Sequence, residues 1–120
     1  MIEDIGSYSK KSIDYPGVAQ AVAMRVLEKS GSLGILICKS GIGMSIAANR
    51  FRGTRCALCV DIQSAELSKQ HNNANILSLG SESKGDNKLL IVDKFINTEF
   101  EGGSHQQRID LLDNIKNRYI

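Results

Sequence analysis

The sequence predicts an α/β fold, a three-layer α/β/α sandwich in which helices cover both faces of a parallel sheet. Two observations carry this. Short apolar runs rich in branched residues alternate with helical patterns along the chain, and one run, Leu33-Gly34-Ile35-Leu36-Ile37-Cys38, is continuously apolar, as expected for a strand buried on both faces. Pro16 suits a first helical turn, Val18, Val22 and Val26 recur at four-residue spacing, and Gly31 can end the helix, which predicts helix over roughly residues 16 to 29. After the Leu33-to-Cys38 strand, Ser40-Gly41-Ile42-Gly43 reads as a tight turn and Met44 to Phe51 as a short helix closed by Gly53. A second strand spans Arg55 to Val60. Asp61 is then a plausible N-cap for a helix from Gln63 to about Asn72. The third strand is Asn75 to Leu79. A polar loop from Gly80 to Gly85 precedes a helix whose broad apolar face carries Leu89, Leu90, Val92, Phe95 and Ile96. A last helix carries Ile109, Leu112, Ile115 and Tyr119 along one side.

The 120 residues fit one domain, residues 1–120, with a usable core. A composition 42% hydrophobic and 23% charged is that of an ordinary folded protein, and a formal charge of +2 selects no partner. Lys and Arg are scattered among Asp and Glu, without the basic stripe and interleaved aromatics that nucleic-acid binding needs. No apolar run approaches the roughly 20 residues that cross a bilayer, and the acidic start Met1-Ile2-Glu3-Asp4 is unlike a signal peptide, so a cytoplasmic location is expected. Cys38, Cys56 and Cys59 leave one thiol over in any disulfide scheme, consistent with a reducing compartment.

In open parallel sheets ligands bind at the carboxyl ends of strands. Cys38 falls there, next to Lys39 and before a glycine turn whose backbone N–H groups, from Lys39 to Met44, can face an anion. Familiar loop chemistries fail on spacing. A cysteine phosphatase loop needs Arg six residues after its Cys, where Met44 stands, and neither a Walker A loop nor a dinucleotide fingerprint fits. Cys56 and Cys59 have zinc-like spacing, but an offset of three along a strand sends side chains to opposite faces. They read as buried structural thiols. His71, at the end of a helix, reads on residue physics alone as a surface or capping residue. His105 and Arg108 share one face of the last helix's first turn, where either an anion or solvent is accommodated.

Four segments decide further. Asp14-Tyr15-Pro16, Gly34 through Cys38 and Gly41-Ile42-Gly43-Met44 to Arg50, Gln70-His71-Asn72-Asn73-Ala74-Asn75, and Glu101-Gly102-Gly103-Ser104-His105 to Arg108 resemble, in register, the ribose-5-phosphate isomerase B and galactose-6-phosphate isomerase family. The resemblance runs from about Asp4 to Arg108. It implies a Rossmann-like fold and an aldose–ketose isomerase, an intramolecular oxidoreductase, acting on a phosphorylated sugar, in the first place ribose 5-phosphate, with no metal and no redox cofactor. It assigns Cys38 as the base that moves a proton through an enediolate, His71 as the ring-opening acid and Ser40 as its assisting hydroxyl. Gly41, Ile42 and Gly43 would stabilise the oxyanion, Asn72 would bind a substrate hydroxyl, Tyr15 would line the pocket, and Arg108 with His105 would grip phosphate. It further implies a homodimer or higher oligomer with active sites shared between subunits.

The sequence also departs from the family. The family's first strand, ending in Asp-His, and the helix after it have no counterpart, so the domain is N-terminally incomplete by comparison. Lys39 replaces a glycine, Ser104 replaces one of two phosphate arginines, and Glu82 stands where a basic residue is common. One lost charge-assisted phosphate contact costs about 1.5–3 kcal/mol of binding. Lys39 would restore part of that charge as a further substrate contact, or obstruct the close approach a glycine allows. Two readings stay open at this point: an active isomerase whose true start lies upstream, or a noncatalytic paralogue or subunit, either decayed or paired with a full-length homologue. A thiol redox protein is disfavoured because no second Cys stands at C-x-x-C spacing from Cys38.

Overall fold

A computed structural model describes residues 1–6 and 14–116. Its elements in chain order are α1 (Tyr15–Glu28), β1 (Gly34–Cys38), α2 (Ile42–Ala48), β2 (Cys56–Leu58), α3 (Ile62–Asn72), β3 (Ile76–Gly80), α4 (Lys88–Asn97) and α5 (Ser104–Asp113). The three strands are parallel in the order β1-β3-β2, with Gly34 opposite Ile76 and Cys38 opposite Gly80. The chain passes from β1 by way of α2 to β2 and returns by way of α3 to the central position. The two crossovers run in opposite directions, and the right-handed rule for parallel strands accounts for α2 and α3 lying on opposite faces.

Side-chain alternation on β3 feeds the two resulting cores. Ile76 packs with Leu36, Met44, Ala48 and the α1 residues Ala19, Ala23 and Val26. Leu77 and Leu79 pack on the other face with Cys59, Ala65, Ile91 and Phe95. All five β3 residues are buried. Pro16 lies in the first turn of α1 and the Asp61 carboxylate accepts from the Ser64 N–H at 2.7 Å, both as the sequence indicates. Hydrogen bonds from the Ser64 side chain and amide hold the Asp61 carboxyl below its ordinary range.

Several expectations are corrected. β1 is not buried on both faces: Gly34 and Leu36 are buried, but Ile37 is 56% exposed, and among the described residues β1 pairs with β3 alone. The Gly34 N–H bonds the Asn75 carbonyl and the Cys38 carbonyl accepts from the Ser81 N–H, so by alternation the backbone of Ile35 and Ile37 faces the other edge. No strand covers that edge among the described residues. Residues 1–6 lie across a groove of about 970 Å³ from it, with Glu3 paired to Arg25 at 2.6 Å. On α4, Ile91 and Phe95 are the buried residues, whereas Leu89, Leu90 and Ile96 are exposed. α5 ends at Asp113 and buries only Ile109 of its apolar residues. Leu112 and Ile115 are exposed, and Tyr119 lies outside the described residues. No helix among them is long and apolar enough to cross a membrane.

Arg55, just before β2, fastens three elements at the amino edge of the sheet. Its guanidinium donates to both Asp113 carboxylate oxygens at 2.9 and 3.0 Å, and its Nε donates to the carbonyls of Asn72 and Asn73 at 3.1 Å. The pair is largely shielded, with side-chain exposures of 17% and 30%. Arg55→Ala is expected to lower unfolding stability by about 2 kcal/mol, because charged hydrogen bonds are lost and a carboxylate is stranded. Urea denaturation of the variant beside wild type checks this.

Candidate active site

The loop after β1 is clamped to the carboxyl end of β3. A Cβ on Gly80 would stand 2.6 Å from the Ser40 backbone, and one on Gly41 would stand 2.7 Å from Leu58 and 2.8 Å from Leu79. Gly41 also has φ +79°, which a side chain rarely tolerates. Its carbonyl accepts from the fully buried Ser78 hydroxyl at 2.6 Å. The Glu82 N–H bonds the Lys39 carbonyl at 3.0 Å. Within this frame the Gly41 N–H donates to the half-buried Cys38 sulfur at 3.1 Å. The Ile42 N–H donates to the Ser40 hydroxyl at 3.2 Å. Two of the three turn amides are therefore engaged locally, and that of Gly43 carries no hydrogen bond among the described residues. Tyr15 closes one side: a Cβ on Gly43 would meet its ring at 2.6 Å. Lys39 is exposed.

A second group gathers at the other end of the sheet. His71 sits in the last turn of α3, and its ring stacks on that of His105, with centroids 4.5 Å apart and planes within 13°. Glu101 stands beside both, its Oε2 3.6 Å from His105 Nε2 and 4.0 Å from His71 Nε2. Its backbone N–H bonds the Gln70 carbonyl at 3.1 Å, and positive-φ Gly102 and Gly103 turn the chain into α5. Arg108 lies three residues beyond His105 on α5, exposed and unpaired among the described residues. The Asn72 side chain lines a neighbouring 650 Å³ groove that contains neither Cys38 nor His71, and Arg55 in that groove is committed to Asp113.

These groups do not meet within one chain. α3 runs back from the carboxyl edge of the sheet to its amino edge, so His71 and Asn72 precede β3 while Cys38 lies opposite its last residue. Five strand residues separate the two ends, roughly 13 Å at about 3.3 Å per residue. The structure brings together Cys38, Ser40, Gly41, Ile42, Gly43 and Tyr15 at one edge. At the other it brings together His71 and His105, with Asn72 and Arg108 on the same elements.

Residues 1–112 match the family described as Ribose/Galactose Isomerase. The chain belongs to that family. A putative sugar phosphate isomerase of Rickettsia typhi is 51% identical over 113 residues, covering 92% of this chain and 78% of the relative. Ribose-5-phosphate isomerase B of Escherichia coli is 43% identical, covering 96% and 78%. The crystal structure of a ribose 5-phosphate isomerase from Thermotoga maritima superposes with TM-score 0.89 at 47% identity, covering 94% of this chain and 79% of that one. The chain is thus a member of a family of sugar-phosphate aldose–ketose isomerases with a Rossmann-like fold.

Within this family frame the structure locates the unusual residues. Lys39 and Glu82 stand together at the Cys38 edge, and Ser104 opens α5 at the His105 edge. Glu101 is the group that residue reasoning missed. The signal for it was the four-residue spacing to His105 across two glycines, which the eye assigns to a turn. Cys56 packs on the α1–α2 side and Cys59 on the α3–α4 side, the opposite faces expected. Burial pushes the Cys56 thiol up to about 12, with the Cys59 thiol adding to the shift, and raises that of Cys59 as well. At pH 8 iodoacetamide should therefore alkylate Cys38 in the folded protein and reach Cys56 and Cys59 only after denaturation, since thiolate is the reactive form. Peptide mass spectrometry of timed reactions reads the order, and equal labelling of all three would contradict it.

Proposed function

We propose that this chain converts ribose 5-phosphate to ribulose 5-phosphate by cysteine-mediated proton transfer, in a homodimer whose sites each combine the Cys38 edge of one copy with the His71 edge of another. The observation that carries the reading is the Cys38 sulfur, held at the end of β1 with an amide donor on it and Ser40 two residues on. His71 donates a proton to the ring oxygen as the bond to carbon 1 breaks, and Ser40 assists removal of the hydroxyl proton at carbon 1. The Cys38 thiolate then takes the proton from carbon 2 of the open aldehyde. The electron pair moves into the carbonyl and forms the enediolate; return of that proton to carbon 1, with transfer of the carbon-2 hydroxyl proton to the carbon-1 oxygen, leaves the ketose. Atoms balance without an added reagent. The unengaged Gly43 N–H supports the developing oxyanion, Tyr15 walls the pocket, Asn72 binds a sugar hydroxyl, and Arg108 with His105 holds the phosphate.

Two copies are required by this reading because the two groups of residues occupy opposite edges of one sheet. A closed twofold pair presents each edge to the other copy's opposite edge. Ribulose 5-phosphate formation should be abolished in Cys38→Ala and in His71→Ala. Mixing the two inactive variants after partial denaturation and refolding should restore activity, to about a quarter of wild-type sites by random pairing. Full activity in Cys38→Ala would refute the base, and no recovery in the mixture would refute the shared site.

A further inference from the structure

The His71–Glu101–His105 group has a property that sugar chemistry does not use. Each residue offers one metal-ligating atom, and the three atoms lie within 4.8 Å of one another. We propose that these residues form a site for a divalent transition-metal ion of the zinc class, and that an ion bound there withdraws His71 from its ring-opening role.

Two imidazoles and one carboxylate form the donor set that zinc takes with a fourth position left for water. The backbone fixes where the three side chains start. The amide bond from Glu101 to Gln70 ties the carboxylate to the turn that carries His71, and the paired glycines return the chain so that His105 comes up one turn later. Neither imidazole has another hydrogen-bond or charge partner among the described residues, so binding an ion breaks no existing network beyond the stack. The side chains are partly exposed, which leaves the ion a path.

Ligands at about 2.0–2.2 Å from one tetrahedral ion stand roughly 3.3–3.6 Å apart, so atoms now spread over as much as 4.8 Å must close by about 1 Å, within reach of side-chain rotation. Parallel stacked rings present their lone pairs side by side, so one imidazole must also rotate out of the stack. The rings lie at a helix end and in a first turn, and the His71 side chain, 43% exposed against 25% for His105, is the freer of the two to rotate. Copper and nickel would compete at the same donors. The three ligands come from one copy, so the site requires no Cys38, either of its own chain or of the copy that faces His71 in the proposed dimer.

The test is equilibrium binding of Co²⁺, displaced by Zn²⁺, to the full chain. Visible d–d absorption without a sulfur charge-transfer band is expected, in wild type and equally in Cys38→Ala. Loss of a direct ligand in Glu101→Gln or His105→Ala should weaken binding at least about tenfold, since even outer-shell partners cost that much. Glu101→Gln keeps the shape of a half-exposed residue and so reads metal affinity apart from folding. Loss of binding in Cys38→Ala, or affinity unchanged in both Glu101→Gln and His105→Ala, would overturn the site. The inhibition rests on the isomerase reading: Zn²⁺ should slow turnover over the concentration range in which it binds, and Glu101→Gln should need more Zn²⁺ for the same fractional loss. A chain that binds Co²⁺ at these residues but never isomerises sugar would overturn the isomerase reading and leave the metal site standing.

Discussion

The close approach of the Ser40–Gly41 backbone to the end of β3 is the constraint on which the rest of the candidate site depends. Gly80 leaves no room for a side chain against Ser40, and Gly41 leaves none against Leu79 and Leu58. The Ser78 hydroxyl, buried in the middle of the sheet, then finds its acceptor in the Gly41 carbonyl rather than in its own strand. Without that bond a buried hydroxyl and a carbonyl would both be left unpaired, at roughly 1–3 kcal/mol each. The position of the Gly41 amide, and with it the donor on Cys38, is thereby set by packing against the most buried strand of the fold.

The same topology divides the chemistry. A helix joining two parallel strands must run antiparallel to them, so whatever it carries at its C-terminus arrives at the amino edge. α3 brings His71 and Asn72 there, and α5 joins them because the Glu101 amide bonds Gln70 and because Arg55 holds Asp113. The sheet therefore gathers Cys38 and the glycine turn at one end and His71 and Asn72 at the other.

The periodic and strongly punctuated parts of the fold were legible in the sequence. Pro16, Asp61 and the three branched runs located α1, α3 and all three strands to within one or two residues, except that β2 is shorter. What failed was burial. Leu33 to Cys38 has the composition of a doubly covered strand, yet Ile37 on β1 is exposed, because a run of apolar residues reports what a strand tolerates and not what covers it. Leu89, Leu90 and Ile96 failed for the same reason on α4, where Ile91 and Phe95 alone turn inward. The Cys38 loop was legible as a site from its position after a strand. The His71 cluster was not, since stacking with His105 is a contact across 34 positions that no local pattern encodes.

The departures from the family take on a different meaning once the two edges are separated. Ser104 removes positive charge where Arg108 and His105 lie, and Lys39 adds positive charge where Cys38 lies. In one chain the lysine is on the wrong side of the sheet to offset the missing arginine. In the shared site proposed above the two edges face each other across the substrate, and Lys39 of one copy stands within the same pocket as Arg108 of the other. Glu82, bonded through its backbone to Lys39, travels with it. On that reading the charge available to a phosphate dianion depends on how these two exposed side chains share the pocket. On the proposed reading, the lysine that breaks the family's pattern beside Cys38 is the residue placed to offset the charge lost at Ser104.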